Sequence, residues 1–262
     1  MKLVADNIQI LNPAVQRAIV TRDPRPLQDL VRRCEHAGAE AIDINSGPLG
    51  QAAESDMAFL VTAVQAVTPL PLLIDTANPA AIKAGLEAAR AAPIINGFSL
   101  EPQKLAAILP LAIEWDAEVI GYLLRPDGSV PSTADERLEL AVAMYEKFSS
   151  SGGNPERLII DPVVVPATWQ DGHRQAGMVL DVIQTLPDLL GFPVKTVVGL
   201  SNLTAGQKDI RKRQQAEAVF FPMLAATDVN LVLLNVFHAA TLRLARGCRA
   251  LLGNGIFSWN DL

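Results

Sequence analysis

The stretch PLLIDTANPAAIKAGLEAARAAPIINGFSL, residues 71–100, contains one complete structural repeat. It opens with a short apolar run, LLIDT (72–76), which stops at a carboxylate, and closes with a second, IINGF (94–98), which carries a carboxamide. Between them Asn78 and Pro79 form a helix start: asparagine caps the first turn, and proline sits where its missing N–H costs nothing. The pattern predicts a helix over 79–91, with Gly85 weakening its interior without ending it. Apolar runs that are continuous, and not alternating, mark strands covered on both faces. Strand, helix and strand in this order therefore predict a parallel pair with a helical crossover.

Outward from this unit the same alternation continues in both directions. Apolar runs occur at 3–6, 40–45, 72–76, 94–98, 118–124, 158–165, 195–202 and 230–236. Helical patterns fall at 24–37, 54–67, 79–91, 101–115, 133–149, 174–190, 210–226 and 237–252. Thr133 and Glu136 form a capping box, and Gly38 fits a helix C-terminus. SSSGGNP (149–155) precedes a strand and so belongs to a loop on the face away from the chemistry. Eight strand–helix units in 262 residues favour an α/β fold of the (β/α)8 TIM-barrel type over an open doubly wound sheet, with 1–262 as one domain.

Composition narrows the function. Half of the residues are apolar, the net charge is −6 and the pI is near 5.1, which argues against nucleic acid or an anionic membrane as the main partner. Lys208–Arg213 is the one basic cluster. No apolar run approaches the roughly 20 residues of a membrane span, and the start MKLVADN lacks a signal core, so a cytoplasmic protein is expected. Cys34 and Cys248 read as reduced thiols, and His36, His173 and His238 are not at ligand spacing, so no metal site is expected. No Walker A motif occurs, and GNGIFS (253–258) lies at the wrong end of the chain for a dinucleotide fingerprint.

In a barrel of this type the carboxyl ends of the strands converge on the active site. Here those ends carry Asp6 and Asn7, Asp43 and Asn45, Asp75, Asn96, Asp161, Ser201 and Asn202, and Asn235. Any one of them could be a turn cap. Together they make a hydrogen-bonding pocket: a carboxylate accepts two parallel N–H bonds from an amidine-like ring edge, and a carboxamide matches a lactam edge. A pterin or a purine has both edges.

The runs AIDINSGP, LLIDTAN, PIINGFS, LIIDPVVVPA and TVVGLSNLT resemble the pterin-binding barrel family of the dihydropteroate synthase fold, and more closely its methyltetrahydrofolate:corrinoid protein methyltransferases. The resemblance runs from the first strand to the last helix. It is most specific at Asp43–Gly47, Ile74–Asn78 and Gly199–Asn202. It implies that Asp75, Asn96 and Asp161 hydrogen-bond the pterin ring, that Asn202 bonds near N5, and that Gly199 and Ser201 line the same face. Asp43 and Asn45 would serve mainly the architecture of the site, with Asp6, Asn7 and Asn235 as possible supports.

The implied chemistry is SN2 movement of a methyl group between N5 of tetrahydrofolate and the cobalt of a corrinoid (cobalamin) carried by a partner protein. No cofactor would be bound permanently, and a homodimer is expected from the family. Trp169–Arg174 and Lys208–Arg213 are candidate docking loops for the corrinoid protein. This chain has Asp6, Asn7, Ile8 and Gln9 where relatives tend to carry Glu-Arg-Ile-Asn, and Asn235 where they tend to carry aspartate. Two alternatives stand beside this reading: dihydropteroate synthase itself, for which Lys195 lies at the wrong end of its strand, and a non-catalytic pterin or folate carrier.

Overall fold

The computed structural model describes residues 1–47, 52–253 and 255–259. Eight strands alternate with helices: β1 (Lys2–Gln9), β2 (Ala41–Asn45), β3 (Leu72–Asp75), β4 (Ile94–Phe98), β5 (Val119–Tyr122), β6 (Leu158–Asp161), β7 (Lys195–Gly199) and β8 (Leu231–Leu234). All neighbours pair in parallel, and β8 returns to β1 to close the barrel in sequence order. The helices are α1 (Pro13–Thr21), α2 (Arg25–Ala37), α3 (Ala53–Gln65), α4 (Pro79–Ala88), α5 (Pro102–Glu114), α6 (Ala134–Ser150), α7 (Gly172–Leu190), α8 (Ile210–Ala225) and α9 (Ala239–Leu252). The (β/α)8 architecture is the one the alternation predicts.

The local starts follow from side-chain chemistry. Asn78 Oδ1 accepts the Ala80 and Ala81 amides at 3.0 and 3.2 Å, and Thr133 Oγ1 accepts that of Glu136 at 3.3 Å. Gly38 ends α2 at φ 111°, a backbone state that favours glycine. α1 is absent from the sequence-based expectation. Its signal is the same Asn-Pro pair read at 78–79, because Asn12 caps the Ala14 amide and Pro13 takes the first helical position.

Several strand limits differ from expectation: β5 ends at Tyr122 and β8 at Leu234, each two residues early, and three others have a local cause. β1 continues past Asp6 to Gln9 by a bulge, since Ala5 pairs with Ile42 but Ile8 pairs with Ile44. β6 stops at Asp161 instead of 165, because Pro162 has no N–H to donate and Val163 adopts a left-handed φ of 64°. β7 stops at Gly199, not Asn202. Leu200 and Leu203 turn into the core, and residues 200–204 form a 3-10 turn.

Two apolar layers hold the barrel. The outer one lies between strands and helices and includes Ile42, Ile74, Phe98, Met144 and Phe221. The inner one is a plug with one residue from each strand: Val4, Ala41, Leu73, Ile94, Ile120, Ile159, Val197 and Leu231. Backbone spacing around it is tight at Gly97, where a Cβ would lie 2.3 Å from Ile120 O on the neighbouring strand. A strand backbone cannot move aside as a side chain can. Gly97→Ala should therefore lower stability by about 3 kcal/mol in urea denaturation, and a variant as stable as the native chain would show that β4 and β5 do not need this approach.

Candidate active site

Successive side chains on a strand point to opposite faces, so residues two apart share a face. Two places beyond each plug residue, counting toward the carboxyl end, stand Asp6, Asp43, Asp75, Asn96, Tyr122, Asp161, Gly199 and Leu233. All eight line one cavity of about 150 Å³. Asn45, Gln9, Ser201 and Asn202 rise above this ring and complete its polar wall, with Ile120 and Val197 as the floor.

The ring is cross-linked by its own hydrogen bonds. Register sets Asn45 beside Asp75 and Asp75 beside Asn96, and Asn45 Nδ2 donates to Asp75 Oδ2 at 2.5 Å. Asn96 Nδ2 donates to Asp43 Oδ1 at 3.0 Å, while the Tyr122 hydroxyl donates to Asn96 Oδ1 at 2.5 Å. These two bonds orient the Asn96 carboxamide and leave one N–H and one lone pair for a ligand. Tyr122 keeps its proton because burial, and then the Asp75, Asp161 and Asp43 carboxylates, push its pKa well above the usual tyrosine range.

Among the described residues no lysine, arginine or histidine lines the cavity. Burial therefore dominates its carboxyl groups: Asp6 is pushed up to about 6, Asp75 to about 6 and Asp161 to about 7. Burial, with the Asp75 charge behind it, holds Asp43 far above the ordinary carboxylate range. Smaller effects oppose this, from the Ser201 hydroxyl on Asp6, the Asn45 amide on Asp75, and the Val163 amide with the Arg137 charge on Asp161. A small acidic cavity without a cation favours a ligand that supplies N–H donors and some positive character. Among the described residues no cluster of histidine, cysteine, aspartate or glutamate is arranged to hold a metal ion.

The strand-end residues predicted from sequence separate into two groups. Asp6, Asp43, Asn45, Asp75, Asn96, Asp161, Gly199, Ser201 and Asn202 meet at the cavity. Asn7 and Asn235 lie outside its lining and bond each other, Asn7 Nδ2 to Asn235 Oδ1 at 2.8 Å, while Val236 N–H donates to Asn7 at 3.1 Å. They tie the first and last strand ends together. Tyr122, Gln9 and Leu233 were missed. Tyr122 and Leu233 are found by counting two from the plug, and Gln9 enters only through the bulge in β1.

Asn202 stands apart from the rest. Its carboxamide makes no hydrogen bond to another described residue, and its Nδ2 lies 2.7 Å from the place where a Cβ on Gly199 would be. The ring lacks a side chain at β7, and Asn202 reaches back from the 3-10 turn into that gap.

The family profile described as pterin binding enzyme matches residues 14–235. The chain belongs to this family. It is 26% identical over 211 residues to the methylcorrinoid:tetrahydrofolate methyltransferase of Eubacterium limosum, covering 79% of this chain and 75% of that one. It is 25% identical over 214 residues to methionine synthase of Mycobacterium tuberculosis, of which it spans only 18%. In fold it is similar to Xanthomonas albilineans dihydropteroate synthase solved with 4-aminobenzoic acid, at a TM-score of 0.70 and 19% identity over 97% of this chain and 93% of that one. A second structure of that synthase, with indole-2-carboxylic acid and 6-chloroguanine, has a TM-score of 0.73, 18% identity and the same coverage. Among the described residues no helix is long and apolar enough to cross a membrane.

The raised carboxyl groups fix the sign of the pH dependence. Unfolded aspartates titrate at about 3.9, so the folded chain binds more protons and its stability falls as pH rises through about 6 to 7. The melting temperature of the free protein should drop between about pH 5 and pH 8. Asp75→Asn, which removes the charge facing Asp43 and keeps an acceptor for Asn45, should gain roughly 1–2 kcal/mol at pH 8 and flatten that slope. A less stable Asp75→Asn protein at pH 8 would contradict the electrostatic account.

Proposed function

We propose that this barrel binds the pterin ring of tetrahydrofolate and moves a methyl group between N5 and the cobalt of a corrinoid held by a partner protein. The observation that carries the reading is the acidic, cation-free ring with one unpartnered carboxamide at its rim. Asp75 and Asp161 offer carboxyl oxygens to the amino-pyrimidine edge, and Asn96 offers one donor and one acceptor to the lactam edge. Methyl transfer is the activity in the name of the Eubacterium limosum relative, and that similarity supports the reading.

The cavity is about 150 Å³, below the roughly 300 Å³ at which pockets for whole drug-sized ligands begin. It suits a ring system whose remainder lies outside. A groove of about 650 Å³ along Asn45, Asp75, Thr76, Ala77, Asn78 and Pro79 adjoins it and shares two of its residues. The substituent of the pterin would leave by this route.

In the demethylation direction the Co(I) lone pair attacks the methyl carbon, the N5–CH3 bond breaks with its electrons going to N5, and a Co–CH3 bond forms as cobalt becomes formally Co(III). N5 then carries a proton, taken from solvent, in place of the methyl group. A tertiary amine leaves poorly unless positive character is placed on it. In this reading Asn202 Nδ2 donates to N5, and the bond strengthens as N5 gains electron density. The reverse reaction uses the same contact. Asn202 is exposed at the barrel mouth, where a cobalt held by a second protein would have access to the methyl group.

A pyrophosphate-releasing synthase is disfavoured, since among the described residues no cation lines the cavity and Lys195 begins β7 at the opposite end of the strand, paired with Glu118. Trp169 and Arg174, with Lys208, Arg211 and Lys212, are exposed on the loops and helix starts that follow β6 and β7. We assign them to the docking of the corrinoid protein.

The test is a spectroscopic assay with methyltetrahydrofolate and cob(I)alamin, run also in reverse with methylcobalamin and tetrahydrofolate. The native chain should turn over, and Asn202→Ala should lose roughly 100-fold in rate, the usual effect of removing one transition-state donor. Tight folate binding without turnover in either direction would replace the transferase by a folate carrier.

A further inference from the structure

The function of Asn202 requires that the turn carrying it be held still, yet its own side chain has no protein partner among the described residues. The turn, residues 200–204, is instead fixed at its far end, where Thr204 Oγ1 donates to Glu217 Oε1 of α8 at 2.8 Å; at its near end Ser201 lines the cavity together with Asp6 of β1.

Glu217 is not a surface anchor. It is 1% exposed, and its second oxygen lies 2.5 Å from Nδ1 of His238, itself 4% exposed. His238 stands at the entry to α9, where its amide bonds Asn235 O at 3.1 Å. One carboxylate thus joins the loop after β7 to the loop after β8, and no lysine or arginine pairs with it among the described ion pairs. Apolar packing by Leu200 and Leu203, with Ala167 N–H donating to Leu203 O at 2.9 Å, already holds the turn against the core. Packing of that kind restrains depth better than rotation. A directional bond at Thr204 restrains rotation as well, and buried polar networks fix geometry in this way when every member has a partner.

We infer that Glu217, held by His238 and acting through Thr204, is a positioning residue that sets the orientation of the Asn202 carboxamide. The inference rests on the methyl-transfer reading of the site and adds to it a set of residues that touch neither pterin nor cobalt. Its consequence is a separation of effects. The ring-binding groups sit on β3, β4 and β6, away from this network, so disturbing Thr204 should change the rate of transfer and leave folate affinity intact.

The experiment compares Thr204→Val, which keeps the shape and removes the hydroxyl, with Thr204→Ser, which restores it. The side-chain amide pair of Asn202, assigned by its loss in Asn202→Ala, is followed in 1H–15N spectra of the free protein, alongside the turnover number and folate affinity. Thr204→Val should shift or broaden that pair and lower the turnover number by roughly 10- to 100-fold, the scale expected for a misplaced catalytic group. Folate affinity should stay at the native level, and Thr204→Ser should behave as the native chain. Unchanged Asn202 signals and rate in Thr204→Val would overturn the inference, as would a parallel loss of rate and folate affinity. If the native chain transfers no methyl group but Thr204→Val still moves the Asn202 signals, the methyl-transfer reading fails and the positioning of Asn202 stands.

Discussion

The alternation of side chains along a strand is the constraint on which this molecule depends. In a closed parallel barrel it obliges every strand to place each second residue inside. The plug from Val4 to Leu231 and the lining from Asp6 to Leu233 are consecutive turns of that obligation. A slip of one residue in any of β1 to β6 would move a polar lining side chain from the cavity to the helix-facing side. The apolar layer and the recognition layer are therefore fixed by the same register. The counting is broken in β1, where one extra residue is absorbed between Ala5 and Ile8, and again in β4 between Asn96 and Phe98; the first of these brings Gln9 to the rim.

The second layer carries an electrostatic burden. Asp6, Asp43, Asp75 and Asp161 are gathered into a small space whose wall has no basic residue. Amides and a phenol supply much of the local compensation: Asn45 for Asp75, Asn96 for Asp43, and Tyr122 to orient Asn96. These bonds soften the desolvation of the carboxyl groups without cancelling it. The free protein carries this residual burden, and a ligand with several N–H groups would relieve it on binding.

Much of this was legible in the sequence, for identifiable reasons. Continuous apolar strands and Asn-Pro or Thr-x-x-Glu helix starts are local signals, and they gave the barrel. The polar strand ends were legible as residue types: nine of the eleven positions singled out line the cavity, and only Asn7 and Asn235 do not. Tyr122 was passed over because an aromatic residue within EVIGYLL reads as strand core. The short helix α1 was missed although Asn12 and Pro13 announce it. The end of β7 was misjudged because GLSN continues an apolar run, and its return into the core depends on the packing of Leu200 and Leu203, which no local pattern reports. The Thr204, Glu217 and His238 network joins residues far apart in sequence, so it is visible only in three dimensions.

Gly199 leaves a notch in an otherwise complete ring of strand-borne side chains, and the notch is filled from outside the barrel. The consequence is an uneven freedom to change over evolutionary time. Groups rooted in the strands cannot be exchanged without disturbing the staves of the barrel, so what the cavity recognises is conservative by construction. The loan from the neighbouring turn can be lengthened, re-aimed or replaced by altering a few residues that bear no weight in the barrel. One scaffold can thus keep its strand-borne lining while changing the group that fills the notch.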